Sequence, residues 1–167
     1  MDAAGASTRQ SAEIPGHVET IHIAPVDGAP VEAVERIPAR AGIGLAGDRN
    51  ERRPDADPLE DRAGKDLTLV EAEAIEAVLG DGIRLAPGEI RRNLMTRGIR
   101  LNDLVGRRFR VGEVECYGVS LCEPCAYLAK LVGQPLIKPL THRAGLRADI
   151  LSDGEIAVGD EVVALDS

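Results

Sequence analysis

The sequence predicts an α+β fold, β-rich, with a mixed, barrel-like sheet and a few short helices. Stretches typical of strands outnumber those typical of helices along the chain. The two kinds do not alternate regularly, as they would in a doubly wound parallel sheet. The chain has 167 residues, which suits one domain with its own core, and only 2% are aromatic. The core is therefore expected to be aliphatic.

The ordered part of the chain is predicted to begin at His17. Residues 1–16 are small and polar without periodicity, so they are interpreted as a disordered tail, and 17–167 as a single domain. The first segment of that domain, "HVETIHIAP", alternates in the manner of a half-buried strand. Residues 31–50, "VEAVERIPARAGIGLAGDRN", continue with short strand-like pieces separated by proline and glycine.

A loop and a helix are expected next. Residues 50–65, "NERRPDADPLEDRAGK", are charged and contain two prolines, which predicts a surface loop that can cover a site. In the following "DLTLVEAEAIEAVLGDG", apolar residues recur at helical spacing and predict a helix over 69–79. Thr68 and Glu71 fit a capping box at its start, and Gly80 fits a stop at its end.

The second half of the chain is predicted to contain a hairpin, a helix and terminal strands. Residues 80–106 are rich in turn-forming residues, and 107–120, "RRFRVGEVECYGVS", form two alternating runs around Gly112. A helix is predicted over 124–132, closed by Gly133. The final "LRADILSDGEIAVGDEVVAL" is typical of strands joined by turns at "SDGE" and "VGDE".

Charge and composition exclude some classes of partner. The formal net charge of -8 and the pI near 4.9 argue against a surface that attracts nucleic acid or anionic lipid. The scarcity of aromatic residues leaves no platform for stacking single-stranded bases. No run approaches the roughly 18 apolar residues of a membrane helix, and the N-terminus lacks the apolar stretch of a secretory signal. We therefore expect a cytoplasmic protein without nucleic-acid or membrane partners.

Two of the three cysteines lie three residues apart, in "SLCEPCAYLAKLVG" at 120–133. Pro124 fits the first turn of the predicted helix, which puts Cys125 in that turn as well. Unpaired N–H groups and the helix dipole stabilise a thiolate there. Cys125 is thus a better nucleophile or metal ligand than Cys122, which precedes the helix.

Three other interpretations of the cysteines stay open. A C-x-x-C before a helix is the local geometry of dithiol redox proteins, although no flanking βαβ pattern accompanies it here. Zinc needs about four ligands, and Cys116 and His142 would complete such a site only from distant parts of the chain. Packing is the third interpretation, and it is preferred for Cys116, which alternates with Val114 in a predicted strand.

Seven arginines lie between residues 91 and 110 of this acidic chain. Their ordinary interpretation is a solvated strand surface. The sequences "RRN" and "TRG" also bring guanidinium groups, an amide and a hydroxyl into one predicted loop, and such groups bind phosphate. The stretch "GIGLAGDRN" adds Asp48 and Arg49, whose simplest interpretation is a turn with a surface ion pair.

Several segments together resemble MOSC domains, the family named for the C-terminal domain of molybdenum cofactor sulfurases. The resemblance covers about residues 18–165 and is to stand-alone bacterial members that lack a fused sulfurase domain. It implies a β-rich, barrel-like α+β fold. The segments that carry it are "GLAGDRN", "DLTLVEAEAIEAV", "GEIRRNLMTRGIRLNDLVGRRFRVGEVECYGVSLCEPC" and "HRAGLRADILSDGEIAVGDEVV".

The resemblance also implies roles for individual residues. Cys125 stands at the hallmark cysteine, whose sulfur ligates molybdenum in relatives that reduce N-hydroxylated compounds and carries sulfur in others. Cys122 would tune that sulfur from just outside the metal ligands. Asn50 stands where many stand-alone relatives have a histidine, so any proton transfer by that histidine is absent. The residues implied to hold the pterin phosphate or to border its pocket are Arg92, Asn93, Thr96, Arg97, Asp48 and Arg49.

We therefore expect a protein that binds molybdenum cofactor (molybdopterin), with Cys125 as metal ligand, and acts as an oxidoreductase on N-hydroxylated bases or related small molecules. The chain shows no flavin or nicotinamide fingerprint, so a separate electron-transfer reductase would supply electrons. One alternative is a sulfur carrier that receives a persulfide on Cys125 from a cysteine desulfurase. Another is a non-catalytic anion-binding domain in which the cysteines only pack.

Overall fold

Eleven short strands form most of the regular structure in the part of the chain that is described. The computed structural model describes residues 15–165, so the predicted tail lies outside the described residues except for its last two positions. The strands are β1 (His17–Ile23), β2 (Glu32–Val34), β3 (Arg36–Arg40), β4 (Gly44–Leu45), β5 (Leu67–Glu71), β6 (Leu94–Arg97), β7 (Arg108–Val111), β8 (Val114–Leu121), β9 (Leu146–Ile150), β10 (Gly154–Ala157) and β11 (Val162–Ala164).

Eight of these strands form one sheet that curls into a half-barrel. Their order is β11, β7, β8, β9, β5, β6, β1 and β2, and β10, β3 and β4 form a smaller second sheet. The pairs are antiparallel except that β5 and β6 run parallel, so the larger sheet is mixed. The predicted β-rich, barrel-like α+β fold is confirmed.

The curl brings β1 back to the segment that precedes β11. His17 forms a bridge with Glu161, and the Val18 N–H donates to the Asp160 carbonyl at 2.9 Å. A bulge in the pairing of β1 with β6 follows Val18 and interrupts the predicted alternation. Two adjacent residues, Ile21 and His22, are buried as a result.

The interior contains two apolar clusters. The larger fills the half-barrel, and Phe109 is its one aromatic side chain among the described residues, which agrees with the expected aliphatic core. The second cluster lies between the sheet and the helices and includes Val70, Ile90, Leu128 and Leu140. This second cluster holds the helix that follows the cysteine pair against the sheet.

Three short α-helices occur within residues 15–165: α1 (Ala72–Val78), α2 (Ala126–Val132) and α3 (Ile137–Leu140). Two 3₁₀ turns accompany them, at Leu79–Asp81 and Leu101–Leu104. None of the helices in the described range is long and apolar enough to cross a membrane.

The prediction of a helix over 69–79 was wrong at its start. The first part of that segment is β5, in which Leu67 to Val70 are all buried. A strand with a neighbour on each side, covered on both faces, reads as a continuous apolar run that single-sequence periodicity does not separate from a helix. Helix α1 begins only at Ala72, and Gly82 in the left-handed conformation (φ 81°) ends the 3₁₀ turn that follows it.

The predicted capping box does not form either. Thr68 lies within β5, where its hydroxyl donates to the Asn93 side-chain oxygen at 3.1 Å. Glu71 occupies the N-cap position of α1 without a side-chain cap. Its carboxylate accepts instead from the Leu101 N–H at 2.9 Å. Both polar side chains therefore join β5 to later parts of the chain.

Strand β6 was missed because residues 80–106 were interpreted as turns throughout. The strand has only four residues, with glycine close after its end, so its local signal is weak. Its pairing with β5 and with β1 places it within the sheet. Thr96 and Arg97 consequently lie on a strand and not in a loop.

Most of the remaining predictions of secondary structure are confirmed, although the helix predicted over 124–132 begins only at Ala126. Strands β7 and β8 form the hairpin around Gly112, and α2 ends at Gly133 in the left-handed conformation (φ 76°). Strands β9 to β11 end the chain. No helix or strand occurs between β4 and β5, as expected for the loop at 50–65.

A substitution at Gly118 in β8 tests how closely the sheet packs on the 3₁₀ turn at Leu101–Leu104. A Cβ at this position would lie 2.0 Å from the Leu104 carbonyl oxygen. We expect Gly118→Ala to lower the free energy of unfolding by about 1–3 kcal/mol, because the backbone has to move. Urea denaturation measures this, with Gly80→Ala as control, since no atom lies within 4 Å there. Equal stability of the two variants would contradict the close packing.

Candidate functional site

The segment between β8 and α2 holds the two paired cysteines in different environments. Cys122 is buried, and its N–H donates to the Gly145 carbonyl at 2.7 Å. Cys125 is exposed and is the N-cap residue of α2, so the helix begins at Ala126, two residues later than predicted, and Pro124 precedes the cap. Its Sγ accepts a hydrogen bond from the Leu128 N–H at 3.4 Å. Such a contact stabilises a thiolate.

Arg92 joins the cysteine segment to the arginine-rich segment. Its guanidinium is buried and donates to four backbone carbonyls. The acceptors are Ala144 at 2.8 Å, Cys122 at 3.1 Å, Ile90 at 3.4 Å and Glu123 at 3.5 Å. Two segments that the sequence could not show to meet are thus in direct contact.

No carboxylate within residues 15–165 forms an ion pair with Arg92. Burial lowers the pKa of Arg92, and the nearby thiols of Cys122 and Cys125, when ionised, act in the opposite direction. Arg147 and Arg49 are close enough to lower it further. A cationic group therefore lies close to both sulfur atoms.

Arg91 is a site residue that sequence reasoning missed. It has φ 65° without being glycine, which is strained backbone of the kind often found at functional sites. Its Nη1 donates to the Ala29 carbonyl at 2.6 Å, whereas its buried Nη2 has no hydrogen-bond partner within residues 15–165. Burial and the charge of Arg49 lower its pKa. Only its place in "RRN" could have drawn attention to it.

Asp48 and Arg49 connect the loop after β4 to this cluster. Asp48 is buried and accepts hydrogen bonds from the Ala24 N–H at 3.1 Å and the Asn50 N–H at 3.2 Å. Arg49 lies 3.5 Å from Asp48 and donates to the Arg91 carbonyl at 3.2 Å. Their side chains are only 1% and 16% exposed, so this is no surface ion pair. Asp48 fixes the turn, and Arg49 reaches into the cluster.

Asn93 and Thr96 are buried within the sheet, and their polar atoms are already used. The side chain of Asn93 accepts from the Thr68 N–H at 3.0 Å and donates to the His22 carbonyl at 3.1 Å. The Thr96 hydroxyl donates to the Val70 carbonyl at 3.5 Å. The structure shows these two residues joining β1, β5 and β6.

Arg97 does not lie with the other arginines. Its guanidinium forms ion pairs with Glu19 on β1 and Glu76 on α1. These contacts raise its pKa and lower that of Glu76. The structure therefore brings Arg49, Arg92, Cys122 and Cys125 together and leaves Arg97 elsewhere on the sheet.

The cysteine segment is also held from outside by contacts between Glu123 and His142. The Glu123 carboxylate accepts from the His142 N–H at 2.7 Å, and the His142 ring Nδ1 lies 2.6 Å from it. The backbone hydrogen bond from His142 lowers the pKa of Glu123. With Arg92 inside and His142 outside, the backbone before Cys125 is held on two sides.

Cys116 lies in a different environment from the two paired cysteines. It is completely buried in the half-barrel, and burial strongly raises its pKa, so its preferred interpretation as a packing residue is confirmed. Within residues 15–165, no group of three or more His, Cys, Asp or Glu side chains is arranged to hold a metal ion. His142 is engaged with Glu123.

The half-barrel fold agrees with the result of a comparison with models of protein families. The family model for the MOSC domain matches residues 62–163, more than half of the chain. The chain therefore belongs to the MOSC domain family. The comparison with curated proteins gives no match.

Solved structures similar to this chain include stand-alone bacterial proteins. The YuaD protein from Bacillus subtilis superposes with a TM-score of 0.75 at 17% identity, covering 92% of this chain and 98% of its own. YiiM from Geobacillus stearothermophilus gives 0.68 at 15% identity, covering 91% and 76%. YiiM from Escherichia coli gives 0.63 at 18% identity, covering 92% and 69%. At such identities the likeness concerns the fold alone.

The ion pairs of Arg97 predict a pH-dependent contribution to stability. Because Arg97 lowers the pKa of Glu76 below its ordinary 4.5, the pair stabilises the fold above that pH, and the contribution is lost as pH falls through the lowered value. We expect Arg97→Met to be less stable than wild type at about pH 7, with a smaller difference at about pH 3. Urea denaturation at both values measures it. A difference independent of pH would contradict the pairing.

Proposed function

We propose that this protein binds molybdenum cofactor, with Cys125 as the protein's sulfur ligand to the metal, and reduces N-hydroxylated bases or related small molecules. One observation carries the proposal: the exposed Cys125 thiol stands at the start of α2, close to the buried guanidinium of Arg92. Membership in a family associated with this cofactor supports it. A soft thiolate is also a ligand type that suits a redox-active transition metal.

The residues present fit a group that combines a metal with a phosphate. Arg91 has a buried Nη2 without a partner in the described range, and Arg49 contacts the backbone carbonyl of Arg91 and is close enough to lower the Arg91 pKa. Guanidinium groups bind phosphate oxygens in a bidentate manner. Arg92 has its donors on carbonyls, so it contributes charge near the sulfur. We assign the phosphate to Arg49 and Arg91.

The other predicted phosphate ligands are set aside in this proposal. Asn93 and Thr96 have their polar atoms in hydrogen bonds within the sheet. Arg97 has its guanidinium on two carboxylates. To hold a phosphate, each would have to give up contacts that stabilise the fold. Asp48 supports the site indirectly, since it fixes the turn that carries Arg49.

The chemistry divides between the cofactor and the chain. When bound, the cofactor supplies a metal that exchanges electrons with the substrate. Reduction of an N-hydroxyl group breaks the N–O bond, consumes two electrons and two protons, and releases an amine and water. The electrons would come from a separate electron-transfer reductase. The chain holds its sulfur in place through Arg92 and the Glu123–His142 pair, and the Arg92 guanidinium lies close to that sulfur.

The test is expression together with the cofactor biosynthetic pathway, followed by analysis for molybdenum, zinc and iron and by fluorescence of the oxidised pterin. We expect near-stoichiometric molybdenum and pterin in wild type and loss of molybdenum in Cys125→Ala, because the variant lacks the metal ligand. Arg91→Met should lose pterin as well. Arg36→Met is the matched control, since Arg36 pairs only with exposed Glu155.

Two results would contradict this proposal. Wild type without molybdenum or pterin would refute cofactor binding, and molybdenum retained in Cys125→Ala would refute the ligand role. Zinc held by wild type alone would instead support a structural metal site. If the cofactor is present, reduction of an N-hydroxylated purine with an artificial electron donor tests the activity.

A second candidate function, sulfur carriage, is favoured by the unequal exposure of the two paired cysteines. A persulfide on exposed Cys125 would be accessible to a partner, whereas buried Cys122 is poorly placed to attack and discharge it. Incubation with a cysteine desulfurase and cysteine should then add about 32 Da, reversibly, to wild type and not to Cys125→Ala. An unchanged mass in wild type would exclude this role.

A further inference from the structure

We infer that the substrate carries an oxyanion, a phosphate or a carboxylate, that binds in a cationic groove next to the Cys125 site; this inference rests on the proposed function. The groove has a volume of about 320 Å³ and lies against the loop between β4 and β5. Six cationic side chains line it together with three carboxylates. The cationic residues of this groove are Arg49, Arg52, Arg53, Arg62, Lys65 and Arg147.

The groove has an excess of positive charge, whereas the whole chain has a net negative charge. The protein has a formal net charge of -8, yet cations outnumber carboxylates two to one here. Arg49 pairs with Asp48, and Arg62 pairs with Asp66 at 3.0 Å. The other four cations form no ion pair within residues 15–165. Like charges that face one space repel each other, so an anion bound among them relieves that repulsion.

One wall of the groove is built on fixed polar contacts. Arg62 donates through Nη2 to the Ile43 carbonyl at 2.9 Å and the Asn50 carbonyl at 2.8 Å. Its Nε is buried and has no partner in the part of the chain that the structure describes. A buried N–H without an acceptor is unfavourable, so this guanidinium keeps one donor unsatisfied within the described residues.

Strand β9 also contributes to the groove. Arg147 is exposed there, and the loop packs on it so closely that a Cβ at Gly64 would lie 3.0 Å from the Arg147 Cβ. The Gly64 N–H donates to the Asp149 carboxylate at 2.8 Å. The loop is therefore attached to β9, which keeps Lys65 and Arg147 on one groove.

The groove adjoins the cysteine site through Arg49. Arg49 lines the groove, and its Nη2 donates to the carbonyl of Arg91 in the arginine cluster. Arg147 also lines the groove, and its charge reaches Arg92. No aromatic side chain lines the groove in the described range, so it offers charge and not stacking. An oxyanion held here leaves the rest of the substrate to extend toward Cys125.

The first experiment needs no cofactor. We would titrate the full-length apoprotein calorimetrically with adenosine 5′-monophosphate, inorganic phosphate and, as neutral control, adenosine. The two anions should bind, more weakly at high ionic strength, and adenosine should not. Arg53→Gln/Lys65→Gln should weaken nucleotide binding at least about tenfold, since two charge-assisted contacts are lost. Lys138→Gln, an exposed lysine outside the groove, should bind as wild type does.

Either of two titration results would overturn the inference: adenosine binding as tightly as the nucleotide, or unchanged nucleotide binding by the double variant. The second experiment compares an N-hydroxylated purine base with its nucleotide as substrates of the loaded enzyme. The double variant should raise KM for the nucleotide about tenfold, leaving KM for the base unchanged.

Pterin content distinguishes the two possible sources of a phosphate. If the double variant loses pterin along with nucleotide binding, the groove belongs to the cofactor and the inference about the substrate is wrong. Unchanged pterin with weakened nucleotide binding supports it. Absence of molybdenum from wild type would refute the proposed function, whereas the titrations would still decide whether the groove binds oxyanions.

Discussion

The hydrogen bonds of the Arg92 guanidinium to backbone carbonyls are the interaction on which the site depends. Their acceptors belong to the cysteine segment, to the residue before Gly145 and to the start of the arginine segment. Neutral carbonyls satisfy the N–H groups of Arg92 without cancelling its charge, so a buried cation is retained at a cost in desolvation. If a carboxylate accepted these hydrogen bonds in place of the carbonyls, its negative charge would offset the positive charge of Arg92 near the two sulfur atoms.

The sheet beneath the site gives this arrangement a rigid base. Asn93 and Thr96 attach β6 to β5 through side-chain hydrogen bonds, in addition to the parallel backbone pairing. Arg92 directly precedes this strand segment, so its position is set by the sheet. The cationic residues between β4 and β5 are instead carried by a loop that is anchored at Arg62 and Gly64. The sheet thus positions Arg92 beside the cysteine segment, whereas the loop between β4 and β5 carries most of the cationic residues of the neighbouring groove.

The sequence predicted those parts of the molecule whose signals are local. The hairpin around Gly112, the end of α2 at Gly133 and the location of Cys125 at a helix start follow from residues within a few positions of each other. Strand β5 was missed because it is buried on both faces and shows no alternation, and β6 was missed because its four residues give only a weak local signal. Arg92 and Arg97 look alike in sequence, and only long-range packing separates the buried guanidinium from the one paired with Glu19 and Glu76.

The unequal shelter of the three cysteines has a practical consequence. Cys116 and Cys122 are buried, so Cys125 carries the one cysteine thiol that a reagent in water can reach without unfolding the chain. A thiol-reactive fluorophore or spin label would therefore modify the native protein at a single residue, Cys125 at the start of α2. Its signal would come from the immediate neighbourhood of Arg92 and would report on whatever molecule enters there. The wild-type chain thus carries its own position for a spectroscopic probe.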